Sequence, residues 1–180
     1  MGSFDFSHKF KNNSKLSTSF LYEYTYLGGP TINQNLGFPD KSVLYQDEYN
    51  TNDNPLYGIR SQIDYTSKSF GLGVFEAGYQ FSNLDHTGDF FYERRSDFNN
   101  NFELVPEFSS EVNLKRSIHA FYSQFEGERG KWDYIAGTRI EIADRILELK
   151  DKANTIDETY KFGFTKLYPS ASLQYRINDN

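Results

Sequence analysis

Trp132-Asp133-Tyr134-Ile135-Ala136-Gly137-Thr138-Arg139-Ile140-Glu141-Ile142 sorts its side chains into two unlike rows when every second residue is taken. One row is Trp132, Tyr134, Ala136, Thr138, Ile140 and Ile142; the other is Asp133, Ile135, Gly137, Arg139 and Glu141. A strand throws successive side chains to opposite faces, so this is one strand with an apolar face and a mostly charged or small one. The glycine-bearing turn Gly127-Glu128-Arg129-Gly130-Lys131 precedes it, and Arg116 to Phe125 before that is its hairpin partner. In that partner both rows are partly apolar, Ile118, Ala120 and Tyr122 against His119, Phe121, Ser123 and Phe125, so its facing stays open.

Working outward, the same alternation recurs. Phe4, Phe6, His8 and Phe10 oppose Asp5, Ser7 and Lys9; Leu16, Thr18, Phe20, Tyr22, Tyr24 and Tyr26 oppose Ser17, Ser19, Leu21, Glu23 and Thr25. Tyr57, Ile59, Ser61, Ile63 and Tyr65 oppose Gly58, Arg60, Gln62, Asp64 and Thr66, and Phe75, Ala77, Tyr79 and Phe81 oppose Glu76, Gly78, Gln80 and Ser82. The chain ends with Pro169, Ala171, Leu173, Tyr175 and Ile177 against Ser170, Ser172, Gln174 and Arg176. Seven strands result, over 3–11, 16–27, 57–66, 72–95, 112–126, 132–149 and 159–177. A short strand at Ser42 to Glu48 would make an eighth.

The connections between these strands alternate in length. Asn12 to Lys15, Ser67 to Gly71 and Gly127 to Lys131 are short, whereas the stretches at about 28–56, 96–110 and 150–158 are long, punctuated by Gly, Pro and Asn, and read as outer loops. Bacterial outer-membrane barrels show that asymmetry, with short periplasmic turns and longer external loops. The apolar row from Trp132 to Ile142 also matches the roughly 9 to 11 residues that a tilted strand needs to cross the hydrocarbon. A soluble sandwich would instead turn its apolar rows to a shared core, and parity alone does not separate the two.

Composition narrows the classes further. No stretch of the 180 residues approaches the ~20 apolar residues of a spanning helix. Aromatics reach 18%, which favours strands and wet–dry boundaries. Cysteine is absent, so thiolate metal sites and disulfides are excluded. A net charge of -6 with no basic stripe argues against nucleic acid as a partner. Met1-Gly2-Ser3 leads straight into a strand with no apolar signal region, which reads as an artificial start on a piece excised from a longer protein. An odd number of strands agrees, since an up-and-down barrel closes on an even one.

Quoted in order, Gln62-Ile63-Asp64-Tyr65, Phe75-Glu76-Ala77-Gly78-Tyr79, Ile118-His119-Ala120-Phe121-Tyr122, Trp132 to Glu141 and Leu167-Tyr168-Pro169-Ser170-Ala171-Ser172-Leu173-Gln174-Tyr175 resemble the outer-membrane β-barrel region of TonB-dependent receptors of the Bacteroidetes type. The resemblance covers most of the chain. It implies an all-β, antiparallel up-and-down meander, part of a transmembrane barrel in the bacterial outer membrane. It also implies uptake of a nutrient or iron complex, with partners in outer-membrane lipid, the rest of the parent barrel and its plug, and TonB only through a part that this chain lacks. No plug domain is visible within 1–180. The alternatives are a complete eight-stranded barrel, structural or lipid-modifying, and a soluble ligand-binding β-sandwich.

Chemistry is sparse in the sequence, and no enzyme, metal site or cofactor is expected. His8, His86 and His119 are far apart with no carboxylate at ligand spacing and read as lumen, girdle or loop residues. Asp47 to Asn54 is rich in oxygen ligands but lacks the glycine and terminal Glu of a calcium loop, so it reads as solvated loop. Arg139 with Glu141, and Arg60 with Gln62 and Asp64, read as a charge ladder paired across a lumen wall. Tyr92, Arg94 and Arg95, beside Phe90 and Phe91, are the candidates for gripping an anionic or sugar-like ligand, against the plainer reading of an outer-rim strand with snorkelling charges.

Overall fold

The computed structural model describes residues 1–69, 73–95 and 101–177, and these form one antiparallel sheet. Its strands are β1 (Gly2–Lys9), β2 (Lys15–Leu36), β3 (Leu44–Ser69), β4 (Gly73–Arg95), β5 (Phe102–Leu104), β6 (Ser110–Arg129), β7 (Trp132–Asp151) and β8 (Asp157–Tyr175). The order is β1-β2-β3-β4-β6-β7-β8, with β5 pairing β4 beyond the end of β6. Apart from the short β5, which only extends β4, each strand lies beside the long strand next to it in sequence, so the sheet is a meander. Among the described residues β1 and β8 are its two edges, and no second sheet covers either face. That excludes a sandwich.

Register assigns the faces that sequence left open. Gln62 pairs with Gln80, Gln80 with Ala120, Ala120 with Glu141 and Glu141 with Lys166, so one face carries Arg60, Gln62, Asp64, Gln80, Tyr122, Arg139 and Glu141. The other carries Phe75, Tyr79, Phe121, Phe125, Trp132, Ile140 and Leu173. In β6, therefore, Phe121 and Phe125 belong to the apolar face and Tyr122 to the polar one. Among the described residues the buried apolar side chains are Ala120 at 0% and Ala143 at 1% exposure, and both lie on the polar face. On the apolar face Ile140 is 39% and Leu173 66% exposed. Among the described residues nothing packs against the greasy side.

That apolar face is a band with aromatic edges. At the short-turn end Trp132 meets Tyr175 with ring centroids 4.8 Å apart, and Phe125 stacks on Tyr134 at 6.0 Å. At the other end Tyr24 lies 4.9 Å from Tyr57. From Trp132 to Ile142, at about 3.3 Å per residue and a tilt of roughly 40°, the band covers roughly 25 Å of depth, the height of an outer-membrane barrel's lipid zone. Its lower edge also climbs from strand to strand: Trp132 on β7, then Phe125 paired with Ala136, then Tyr65 paired with Ala77. An apolar band oblique to the hydrogen-bonded rows is what tilted, staggered strands produce on meeting a flat membrane.

Beyond the band the strands continue, which changes the expected loops. The stretch 28–56, read as irregular from its Gly, Pro and Asn, is a hairpin: Gly28 pairs with Asp53 and the ladder runs on to Leu36 opposite Leu44. Of the expected short strand Ser42 to Glu48, Leu44 to Glu48 is the start of β3 and Ser42 belongs to the turn before it, so there is no separate strand; the oxygen-rich 47–54 run lies in that ladder, where Asp47 pairs with Arg95 at 3.1 Å. Of the 96–110 connection, 96–100 lie outside the described residues; the rest is β5, a 3-10 turn at Pro106–Phe108 and Ser109, whose Oγ accepts from Tyr92 N at 3.0 Å and donates to Val105 O at 2.9 Å. At the opposite end the turns after β1 and after β6 are tight, while of the expected short turn Ser67 to Gly71 residues 70 and 71 lie outside the described residues. Asn13 (φ 65°) and Gly130 (φ 62°) take the left-handed conformation that such turns require.

The loop after β7 is tied by one carboxylate. Asp151 accepts hydrogen bonds from Thr155 N at 2.8 Å, Ile156 N at 3.0 Å and the Thr155 hydroxyl. The Thr155 hydroxyl and these backbone donors hold its pKa below the usual carboxylate value. A depressed folded pKa contributes stability at pH values above about 4, lost as pH falls through the folded value. Asp151→Asn at neutral pH, or acid below that window, is expected to lower the protection factors of the Thr155 and Ile156 amides, taken relative to intrinsic exchange at the same pH, while leaving β7 and β8 protected. Unchanged protection factors there would remove the carboxylate from its role as the loop's clasp.

Candidate functional site

The polar face is built as a network rather than as isolated charges. Asp64 on β3, Gly78 on β4, Tyr122 on β6 and Arg139 on β7 share one cross-strand row. Gly78 has no side chain, and the Tyr122 ring occupies that space: a Cβ there would lie 2.4 Å from Tyr122 Cζ. Glycine inside a strand marks such close approaches. Leaning across Gly78, the Tyr122 hydroxyl donates to Asp64 and accepts from Gln62 Nε2 at 3.1 Å, while Gln62 Nε2 also donates to Asp64 Oδ2 at 2.9 Å.

Arg139 completes the network. It donates from Nε to Glu141 at 2.7 Å and from Nη2 to Gln80 at 3.2 Å, with its guanidinium 5.8 Å from the centre of the Tyr122 ring. Of the expected charge ladder, Gln62 and Asp64 on β3 and Arg139 and Glu141 on β7 are present, joined across four strands through Gln80 on β4 and Tyr122 on β6. Arg60 stands outside it. The row borders a shallow recess of about 410 Å³, on whose far side lie Tyr168 and Ser170 of β8. Such a surface offers hydrogen-bond donors and acceptors and fixed charge to a wet space, with neither a nucleophile–base pair nor a grouping of metal ligands among the described residues.

The rim candidates separate by parity. Tyr92 and Arg94 point to the polar face, where Tyr92 donates to Glu48, Arg94 Nη2 donates to Tyr92 Oη at 3.1 Å, and Phe108 meets the Tyr92 ring edge-on at 5.4 Å. Arg95 points to the opposite face and is held by Asp47, with Phe102 5.0 Å below its guanidinium. The three side chains therefore do not form one grip. His8 and His119 lie on the apolar face and His86 on the polar one; His119 Nδ1 shares a 2.7 Å hydrogen bond with Tyr79 Oη near the band's upper edge. Tyr122 and Gln80 are what sequence reasoning missed. The signal was Gly78, a glycine in mid-strand.

Comparison with known proteins agrees with this architecture. A family model described as the outer membrane protein beta-barrel family matches residues 8–180. Among solved structures the chain is similar to the ferric citrate transporter FecA in its unliganded form, with a TM-score of 0.61 and 12% identity over 92% of this chain and 23% of that one. At that identity the likeness speaks for the fold alone, and this chain spans less than a quarter of that structure's length. No curated relative matches. With a lipid-height apolar band, aromatic edges, oblique rows and a hydrogen-bonded polar face all in one meander, this outer-membrane chain belongs to the outer membrane protein beta-barrel family.

Proposed function

We propose that the chain is a wall segment of a TonB-dependent outer-membrane receptor that takes up a nutrient or iron complex, its apolar face against lipid and its polar face lining the lumen. The observation that supports this is the pairing of the two faces: an uncovered band edged by aromatics on one side, and the Gln62–Asp64–Tyr122–Arg139–Gln80–Glu141 network on the other. The two open edges suit a larger cylinder, whose remaining strands and plug would be its partners. On this reading the role of the chain is to enclose and contact a passing ligand, with no catalytic step.

The chain has no cysteine, so single cysteines can report the environment of each face. Cysteine at Ala136 or Leu173 is expected to resist a membrane-impermeant maleimide in lipid vesicles and to be quenched by spin-labelled acyl chains when carrying a fluorophore. Cysteine at Gln80 or Ser170 is expected to label and to escape quenching. Reversal of that pattern would sink the wall assignment, as would equal labelling at all four.

A further inference from the structure

Directly above the hydrogen-bonded network, on the same face, lies a cluster of cations that the network does not use. Arg116 on β6 and Arg145 on β7 are direct cross-strand partners. Like charges in that relation sit with Cβ atoms roughly 5 Å apart and are destabilising unless something lies between them. Arg60 is one step away, opposite Ser82, whose other neighbour is Ile118. A small recess of about 30 Å³ separates Arg60 from Arg116, with Glu23, Ser82 and Leu84 also in its walls.

None of the three arginines has an ion pair among the described residues, although Arg139 on the same face, and Arg95 and Arg176 towards the two ends of the sheet, each have one. Arg116 Nε is buried without a hydrogen-bond partner. Arg145 has only the Phe164 ring, 5.9 Å from its guanidinium carbon, and Lys166 approaches the same ring at 5.0 Å. Glu23 is the single uncommitted acid in these rows, and it lies within ion-pair distance of neither Arg60 nor Arg116. A chain with net charge -6 has carboxylates to spare, yet leaves this patch positive. On the long-loop side Leu56, Leu114 and Leu147 follow on the same face, and an apolar margin strengthens any charge–charge contact beside it.

We propose that Arg60, Arg116 and Arg145 form a binding site for a small multivalent oxyanion, bearing phosphate or carboxylate groups, on the inner wall. Guanidinium forks match both groups bidentately, and an oxyanion between Arg116 and Arg145 would turn their repulsion into a shared contact. The site deepens the receptor reading, on which it rests only for its access to the lumen.

The test is calorimetric titration of sodium pyrophosphate, and in parallel of tricarballylate, into the full chain in zwitterionic detergent at low salt. Saturable binding of at least one is expected, weakened about tenfold or more in Arg116→Gln/Arg145→Gln and unchanged in Lys161→Gln on the opposite face. Arg145→Gln alone is expected to raise the melting temperature without anion and to shrink the rise that pyrophosphate gives, a readout that stands if the double variant does not fold. Failure of both anions to bind, or equal binding by the Gln variants, would overturn the site. The cysteine pattern above decides the wall assignment separately, since lipid-protected Ala136 without anion binding leaves that assignment standing.

Discussion

Ala171→Arg is expected to cost about 2 to 4 kcal/mol of folding free energy in phospholipid bilayers, while Ser170→Arg, one residue away, stays within about 1 kcal/mol of the parent. Both positions are exposed, at the same depth on β8, and differ only in the face to which they point. Ala171 pairs with Ala136 near the middle of the Trp132–Ile142 band, where a guanidinium has no water and no partner; Ser170 pairs with Gly137 at the margin of the recess beside Arg139 and Tyr168. Urea titration of the vesicle-inserted chain measures both. Equal costs would mean that both faces meet the same medium, and a larger cost at Ser170 would put the polar network on the lipid side.

The contrast rests on a feature that is local in the sequence. Strand parity needs no partner, so Ala171 and Ser170, or Arg139 and Ile140, separate by inspection. What parity does not hold is register. Arg116 and Arg145 are 29 positions apart and become neighbours only when the β6–β7 hairpin is in place. The Tyr122–Asp64 contact likewise needs two hairpin registers, with β4 between them, to be known. In β6 itself, Tyr122 and Phe121 look alike by composition; their neighbours decide, since Phe121 lies 4.8 Å from Tyr79 on the greasy side while Tyr122 reaches a carboxylate.

The stretch 28–56 was illegible for a different reason. Above the membrane both faces of a strand meet water, so Gly28 to Leu36 and Leu44 to Pro55 need no apolar alternation, and their Asn, Gly and Pro content resembles a loop's. They remain in the ladder because each half supplies the other's backbone partners, from Gly28–Asp53 to Asn35–Gln46. The rim candidates failed to converge on the same physical ground: consecutive residues of one strand, Arg94 and Arg95, were grouped by sequence and separated by the pleat.

Gly78→Val carries the largest expected effect inside the polar face. Any Cβ at this position lies 2.4 Å from Tyr122 Cζ and 2.5 Å from Tyr122 Oη, so the ring must swing away from the strand it crosses. Overpacking of this kind costs about 1 to 3 kcal/mol. Displacement then strips Asp64 of the Tyr122 hydroxyl, leaves Gln62 with one partner fewer and withdraws the aromatic surface beneath Arg139, adding about 1 to 3 kcal/mol for groups left unpaired. Together these span about 2 to 6 kcal/mol, and partial hydration of the site places the expected cost in the lower half of that range, about 2 to 4 kcal/mol. In a Tyr122→Ala background the collision is gone, and Gly78→Val is expected to cost less than about 1 kcal/mol, valine being a good strand residue. The double-mutant cycle therefore reads a coupling of about 2 kcal/mol between two residues on different strands. Additive costs in the cycle would show that Tyr122 does not lie across Gly78, and the network that joins β3 to β7 would lose its central member.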